Sequence, residues 1–245
     1  MRKIFSIISL LLLSACVFRP DPEGFVEKEI QTEYFSFAVW EKESIQSGKP
    51  LRLYIEGDGD PNPRYQIAKY YASTDEAPNV IYIARPCQWI EEKICKKNPS
   101  IYGENRFSTE VIGQIQILVQ HLIKKYKAPT VELVGYDGGA VIAFALATKL
   151  PVSRIITIAG IIDPVTYANY HGLKPFAEYE MFKTMEHLST LESIPQVHYV
   201  GSKDEITPRR LVERFVAKMN NPTAAVVKVV PGVDHTNWEG VQLDY

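Results

Sequence analysis

The alternation of short apolar runs with helical patterns is the feature that most constrains the fold of this chain. The runs are rich in Val, Ile and Tyr without a clean alternation of apolar and polar residues, which is typical of strands buried on both faces of a sheet. Strands that alternate with helices predict an α/β fold, with a mostly parallel central sheet and helices on both faces. The predicted strands are 34–39, 51–55, 80–84, 131–136, 154–159, 196–201 and 225–230.

Three helices are predicted between these strands. Ser108 is a suitable N-cap for the first helix, and apolar residues follow it at helical spacing: Val111, Ile115, Leu118 and Leu122. The second helix is predicted over 138–149 and the third over 208–219. The third begins with Thr207 as cap and Pro208 in its first turn, where proline is well tolerated.

The N-terminal residues are predicted to be a targeting segment. Two basic residues precede an apolar run over 4–13, and small residues lead from that run to Cys16. The run is much shorter than the about 20 residues that cross a bilayer, which predicts a signal peptide. The Leu-Ser-Ala-Cys sequence ending at Cys16 resembles the bacterial lipobox, and this resemblance implies that Cys16 is lipidated. The alternative is an ordinary secretory signal with an incidental cysteine.

The lipobox resemblance divides the chain into three parts. Residues 1–15 are the signal peptide, 16–32 are the lipidated N-terminus with a tether rich in Pro, Glu and Gln, and 33–245 are one domain. No Asp directly follows Cys16, and in proteobacterial lipoproteins this absence implies the outer membrane. We therefore expect a protein of the bacterial cell envelope, lipid-anchored to the outer membrane and facing the periplasm.

Composition and cysteine content limit the partners. The chain of 245 residues has 46% hydrophobic residues and can bury one sizeable core, while its net charge of -2 offers no basic face for nucleic acid. Beyond Cys16 two cysteines remain, Cys87 and Cys95, and an oxidising envelope favours a disulfide between them. A zinc site is the alternative, although no nearby His or further Cys completes four ligands.

Residues 131–140 carry the most functional information. A predicted strand runs directly into a Gly-Tyr-Asp-Gly-Gly sequence centred on Asp137, and a predicted helix follows. Small residues on both sides of Asp137 permit a sharp turn that exposes the central side chain. The pattern resembles the nucleophile elbow of the α/β-hydrolase superfamily, except that Asp137 replaces the serine. A plain glycine-rich turn is the alternative.

Two later loops match the order nucleophile, acid and histidine of that superfamily. Asp204 follows the predicted strand 196–201, and His235 follows the predicted strand 225–230. The resemblance implies a triad of Asp137, Asp204 and His235. Taken alone, Asp204 could instead cap the helix at Pro208, and His235 could be an ordinary surface histidine.

The resemblance also implies an oxyanion hole. The glycine-containing loop after strand 51–55 lies where the superfamily provides one backbone N–H, and the residue after the nucleophile provides the other. The implied residues are Gly57, Asp58, Gly59 and Gly138. Segments that begin at Arg85 and Ile158 resemble a subgroup of secreted or lipoprotein α/β-hydrolases with a serine elbow, so the resemblance covers nearly the whole mature chain.

An aspartate at the elbow changes the expected chemistry. A carboxylate does not sustain ordinary esterase turnover, but it attacks saturated carbon, as in the superfamily's epoxide hydrolases and haloalkane dehalogenases. Such enzymes usually have tryptophan after the nucleophile, where this chain has Gly138, so dehalogenation is disfavoured. The predicted lid over 163–194 contains tyrosines that could protonate an epoxide oxygen or simply pack: Tyr167, Tyr170 and Tyr179.

Two other classes of function stay open at this point. Asp137 and Asp204 could hold His235 as a charged, noncatalytic ion cluster in a pseudoenzyme or binding protein. A metal held by Asp58, Asp60, Asp137 and His235 satisfies hard-ligand chemistry without a recognisable spacing. The expectation adopted is a monomeric hydrolase without cofactor or metal, which acts on a small molecule of unknown identity.

Overall fold

The structure, a computed structural model, describes residues 22–59, 63–90, 99–173 and 181–244. Within them the strands are β1 Phe25–Gln31, β2 Ser36–Lys42, β3 Leu51–Ile55, β4 Val80–Ile83, β5 Val131–Tyr136, β6 Val152–Ile158, β7 Gln196–Gly201 and β8 Ala225–Val230. The α-helices are α1 Ile67–Thr74, α2 Thr109–Tyr126, α3 Gly139–Ala147, α4 Pro164–Tyr170, α5 Leu188–Leu191 and α6 Arg209–Val216. Short 3₁₀ turns lie at Pro99–Tyr102, Thr184–His187 and Pro222–Ala224.

The strands form one sheet in the order β1-β2-β4-β3-β5-β6-β7-β8. The pairs β1·β2 and β2·β4 are antiparallel, and the remaining neighbours are parallel. Because parallel neighbours end at the same edge, the carboxyl ends of β3 to β8 bring their following loops together. This edge is where the predicted site residues meet.

Helices cover both faces of the sheet. Helix α1 packs on one face with the chain segment around Trp238, which is fully buried. Helices α2, α3 and α6 pack on the other face. Each face therefore has its own apolar core, and the central strands are buried on both sides, as their unbroken apolar composition predicts.

The sequence-based strand limits agree closely with the structure. The predicted limits of β3, β5, β7 and β8 are confirmed at both ends. The predictions for β2, β4 and β6 differ from the observed limits by one to three residues. The N-cap of α2 is also confirmed, since Ser108 Oγ accepts a hydrogen bond from the Val111 amide at 3.2 Å.

Strand β1 corrects the predicted tether over 16–32. Residues 25–31 pair with β2 from Phe25 opposite Lys42 to Gln31 opposite Ser36. The strand is mostly exposed and carries charged residues, which is typical of a sheet edge protected from further pairing. The strand was not predicted from the sequence because its composition is polar, and only one side of an edge strand needs apolar residues.

The start of α6 corrects a second prediction. Pro208 is the N-cap of this helix and no side chain caps it, so Thr207 does not cap it. The Thr207 hydroxyl donates instead to Asp204 Oδ2 at 2.7 Å. Donation to a charged acceptor in its own loop orients this hydroxyl towards Asp204, since hydrogen bonds to ionised groups are stronger.

Several predictions fall on residues outside the described ranges. They concern Cys16, Asp60, Cys95 and Tyr179. Cys87 is buried and disulfide-bonded, while its pairing with Cys95 stays a prediction. In the described part of the chain, no helix combines the length and apolar character that crossing a membrane requires.

Candidate active site

Asp137 lies in the sharp turn between β5 and α3. Its φ of 47° is in the left-handed region, which is costly for a residue other than glycine. The Asp137 amide donates to the Ile158 carbonyl at 3.1 Å, and its carbonyl accepts from the Ile161 amide at 3.0 Å and the Ala140 amide at 3.1 Å. These three hydrogen bonds hold the strained turn, and the side chain remains 16% exposed.

Glycines on both sides make this turn possible. A Cβ at Gly135 would lie 2.6 Å from the backbone of Ala140, and one at Gly139 would lie 2.2 Å from the Ile55 carbonyl oxygen. Both distances are far shorter than a normal carbon contact. The glycines therefore allow α3 to pack directly against β3 and β5 immediately after Asp137.

His235 lies between two carboxylates. Its Nε2 is 3.4 Å from Asp137 Oδ1, and its Nδ1 is 3.0 Å from Asp204 Oδ2. The Tyr136 hydroxyl donates to the His235 carbonyl at 3.2 Å, and the two rings lie 5.6 Å apart. The three residues of the predicted triad thus meet in the geometry of a nucleophile, a histidine and an orienting acid.

Asp204 is held rigidly by its own loop. Its Oδ1 accepts from the amides of Ile206 at 2.9 Å and Thr207 at 2.8 Å, and its side chain is fully buried. Thr207 Oγ1 lies 2.7 Å from Asp204 Oδ2 and 3.2 Å from His235 Nδ1. Sequence reasoning missed this role of Thr207, although its position three residues after the acid is a recognisable side-chain turn pattern.

The two carboxylates determine the charge of His235. Burial acts to lower the pKa of the imidazole, but hydrogen bonds and charge from Asp137 and Asp204 outweigh burial and raise this pKa to about 10. The pKa of Asp204 is lowered even though burial acts to raise it, because His235 and Thr207 stabilise the carboxylate. The two carboxyl groups therefore favour the imidazolium form of His235.

Gly57, a predicted oxyanion-hole residue, has hydrogen-bond partners in the supporting loops. Its amide donates to Glu56 Oε1 at 3.0 Å, and its carbonyl accepts from Gln88 Nε2 at 3.1 Å. Glu56 and Gln88 are both buried, and burial raises the pKa of Glu56 to about 7. An amide already committed to a carboxyl oxygen cannot also stabilise a reacting oxygen, so this part of the loop is a support for the site.

Asp58 contributes its side chain to the site. A Cβ on Gly138 would lie 1.6 Å from Asp58 Oδ1, so the carboxyl group fills the space beside the elbow where an open oxyanion hole was predicted. Its Oδ2 lies 2.5 Å from Arg106 Nε. Gly59 has a φ of 128°, a conformation that favours glycine, and a Cβ on it would meet none of the described atoms within 4 Å.

Arg85 and Arg106 complete a charged cluster that sequence reasoning missed. Both guanidinium groups lie over the Phe107 ring, at 5.6 Å and 5.1 Å from its centre, and Arg85 is almost fully buried. Burial lowers the pKa of Arg85 to about 10, while Asp58 and Asp137 act to raise it. The two arginines supply positive charge beside the carboxyl groups of Asp58 and Asp137. Sequence reasoning missed this cluster because its members lie far apart along the chain.

The lid side of the site contains Tyr167 and a small cavity. Burial, together with the charges of Asp137 and Asp58, raises the pKa of Tyr167 to about 12. A cavity of about 120 Å³ is lined by Asp163, Tyr167, Thr207 and other residues of α4 and α6. Thr207, which contacts Asp204 and His235, is one of its lining residues, whereas no residue of the triad itself lines the cavity. Among the described residues, no group of three or more His, Cys, Asp or Glu is placed to hold a metal.

Comparisons with known proteins connect this geometry to a fold. No protein-family model matches the chain, and no curated protein matches its sequence. An esterase of Pyrococcus furiosus superimposes with a TM-score of 0.64 at 15% identity, over 89% of this chain and 85% of that chain. A serine hydrolase homologue of Coxiella burnetii gives 0.57 at 16% identity, over 86% and 89%.

A third solved structure superimposes over a similar share of both chains. It is an α/β serine hydrolase without a lid from Xanthomonas campestris, with a TM-score of 0.57 at 12% identity over 88% of this chain and 87% of that chain. Together with the mostly parallel eight-stranded sheet, these likenesses show that the chain has the α/β-hydrolase fold.

Proposed function

We propose that this protein is a hydrolase of the bacterial cell envelope in which Asp137 attacks a saturated carbon of a small-molecule substrate. The observation that carries the proposal is the elbow geometry: a strained, partly exposed carboxylate 3.4 Å from His235, whose other nitrogen is fixed by Asp204. This arrangement provides a nucleophile, a base and an orienting acid.

The carboxylate determines which substrates can react. Attack on an ester carbonyl would form a mixed anhydride while expelling a far poorer leaving group, so that reaction does not turn over. Attack on saturated carbon forms an ordinary alkyl ester, which water can then hydrolyse. An epoxide is the substrate class that fits best, because ring strain drives the opening and Gly138 provides no side chain to bind a departing halide.

The charge state of His235 changes during the reaction. In the free protein Asp137 and Asp204 keep the imidazole protonated, and an imidazolium is not a base. When Asp137 becomes an ester, its negative charge and its hydrogen bond to His235 disappear, so the pKa of the imidazole falls. His235 then releases its proton to solvent and acts as the base that activates water, while Asp204 holds the ring.

Hydrolysis of the ester completes the cycle. Water adds to Cγ of Asp137, its proton moves to His235, and the alkoxide leaves with the proton that His235 returns. The Gly138 amide directly follows the nucleophile and can face the transient oxyanion on the Asp137 carboxyl group. The products are a diol and the free enzyme, so that no cofactor is consumed.

Intact-protein mass measurement tests the proposal. We compare wild type with His235→Gln after exposure to a panel of epoxides. Without the base the alkyl ester should persist, so the variant should gain the mass of one epoxide on Asp137 while wild type returns to its original mass. Asp137→Asn is the matched control and should gain no mass.

The same measurement distinguishes the noncatalytic alternative. The raised pKa of His235 also fits a static ion cluster, as expected for a pseudoenzyme or binding protein. If neither protein gains mass with any epoxide, and Asp137→Ser instead creates esterase activity, the proposal is wrong and the site is a serine-hydrolase scaffold that has lost its chemistry.

The envelope location belongs to the same proposal. Lipidation of Cys16 would hold the domain at the periplasmic face of the outer membrane. Strand β1 begins at Phe25, so only a short segment would separate the lipid from the sheet edge. The domain would then lie close to the membrane surface, as a monomer.

A further inference from the structure

Asp58 lies beside the proposed nucleophile. A Cβ on Gly138 would lie 1.6 Å from Asp58 Oδ1, and Gly138 is the residue that follows Asp137. A Cβ on Gly57, which precedes Asp58, would lie 3.2 Å from Asp137 Oδ2. The loop after β3 and the elbow after β5 therefore bring two carboxyl groups together.

The two oxygens of Asp58 have different surroundings. Oδ2 lies 2.5 Å from the guanidinium of Arg106. Oδ1 is buried and has no hydrogen-bond partner among the described residues. Positive charge stabilises the oxygen that remains anionic, so a proton on this carboxyl group belongs on Oδ1, the oxygen that faces the elbow.

The surroundings also shift this carboxyl group towards its neutral form. Burial and the negative charge of Asp137 raise the pKa of Asp58 to about 6, against the opposing charges of Arg106 and Arg85. These arginines stabilise the anion once the proton has left. Two neighbouring carboxyl groups in unlike environments can divide the roles of acid and nucleophile.

We propose that Asp58 is the general acid of this site and that its Oδ1–H protonates the oxygen expelled when Asp137 attacks an epoxide carbon. This inference rests on the proposed function and deepens it. It specifies a substrate whose leaving group is an oxygen that needs a proton, rather than a halide that leaves as an anion.

The proton balance closes over one turnover. An Asp137 oxygen forms a bond to the epoxide carbon, the ring C–O bond breaks, and its electron pair takes the proton of Asp58. In the second step, one proton of the attacking water passes through His235 to the departing alkoxide. The other is released by the regenerated Asp137 carboxyl group and restores Asp58, while His235 recovers from solvent the proton that it released before the second step. The sum is epoxide plus water to diol.

The test separates the epoxide step from the rest of the reaction. In full-length protein carrying His235→Gln, the rate of mass gain on Asp137 is measured with styrene oxide and with 2-phenylethyl bromide, which share a carbon skeleton. Bromide leaves without a proton. Adding Asp58→Asn should slow labelling by styrene oxide about 100-fold or more and leave labelling by the bromide within about threefold.

The outcomes distinguish the two proposals. Equal labelling by styrene oxide with and without Asp58→Asn overturns the role of Asp58 and leaves the proposed function standing. No labelling by either probe when Asp58 is intact overturns the proposed function, and the role of Asp58 with it.

A pH profile covers the case in which Asp58→Asn fails to fold and both probes stop reacting. With Asp58 intact, the ratio of styrene oxide labelling to bromide labelling should fall about tenfold per pH unit above the pKa of Asp58, because Asp58 loses its proton. Both probes react with the same nucleophile, so the ratio isolates the proton that Asp58 supplies; the charged groups that face Asp58 are Asp137, Arg106 and Arg85. A ratio that does not change between pH 5 and 9 contradicts the proposal.

Discussion

At the scale of single residues, the glycines around Asp137 decide whether the nucleophile turn can form. Gly139 lies where any side chain would meet the backbone of β3, since a Cβ there would be 2.2 Å from the Ile55 carbonyl oxygen. A backbone atom in a central strand cannot move aside as a flexible side chain could. The constraint therefore applies to the fold as well as to the site.

Gly139→Ala should destabilise the protein by about 2–3 kcal/mol, because α3 must shift away from β3 to admit one methyl group. Gly113→Ala in α2 is the matched control: nothing lies within 4 Å of the added Cβ, and better helix propensity should stabilise by about 0.5–1 kcal/mol. Urea unfolding measures both changes. Equal effects of the two substitutions would contradict this account of the elbow.

The loop from Asp204 to Thr207 was only partly predicted from the sequence, also for reasons at the level of single residues. Asp204 was identified from its place after β7, but the hydroxyl that contacts both Asp204 and His235 belongs to Thr207, which was assigned to helix capping. Both roles use the same short-range pattern. Only the position of His235, in the loop after β8, favours the contact of Thr207 with Asp204 over a role as helix cap.

At the scale of elements, one buried carboxylate connects the antiparallel edge of the sheet to helix α2. Glu41 on β2 accepts from Lys125 Nζ at 2.7 Å and 2.8 Å and from the Tyr126 hydroxyl at 2.8 Å, and Lys28 of β1 pairs with it. Its side chain is 2% exposed. Hydrogen bonds and charge from these partners lower its pKa although burial acts to raise it.

Glu41→Ala should destabilise the protein by about 2–3 kcal/mol, because it leaves the end of α2 with unmatched donors in a partly buried site. Glu186→Ala is the control, since its ion pair with Lys183 at 3.0 Å is exposed on both sides and should contribute at most about 0.5 kcal/mol. Chemical denaturation gives both values. A loss no larger than that of the control would show that this connection is unimportant.

At the scale of the whole molecule, the sheet order brings together residues far apart in sequence. Asp58 follows β3, Asp137 follows β5, Asp204 follows β7 and His235 follows β8, and all four loops leave the same edge of the sheet. Arg106 reaches this edge from the segment before α2. The fold therefore assembles both the proposed nucleophile and its proposed acid.

The envelope location is tested on the whole chain. Cys16→Ser should keep the protein out of the outer-membrane fraction, because it removes the thiol to which the proposed lipid would be attached. Val17→Asp is the matched variant: lipidation should persist, and the acidic residue after the cysteine should shift the protein from outer to inner membrane. Fractionation followed by immunoblotting measures both. Wild type found wholly in the soluble fraction would contradict the lipid anchor.

Features that depend on short-range pattern could be predicted without the structure. Buried parallel strands need apolar residues on both faces, so the limits of β3, β5, β7 and β8 could be predicted. The small residues around Asp137 likewise predicted the sharp turn, and the order of the loops predicted which residues would meet there. The exposed edge strand β1 has no such pattern, because only its pairing with β2 requires it to be extended.

The tertiary structure alone decided how neighbouring polar groups divide their hydrogen bonds. The Gly57 amide is taken by Glu56, the carboxyl group of Asp58 turns towards Gly138 and Arg106, and Thr207 joins Asp204 to His235. Each choice depends on which donor or acceptor arrives from another loop and on how much water is excluded there. Local sequence determines neither the identity of the partner group nor the exclusion of water, because both arise only when distant segments pack against each other.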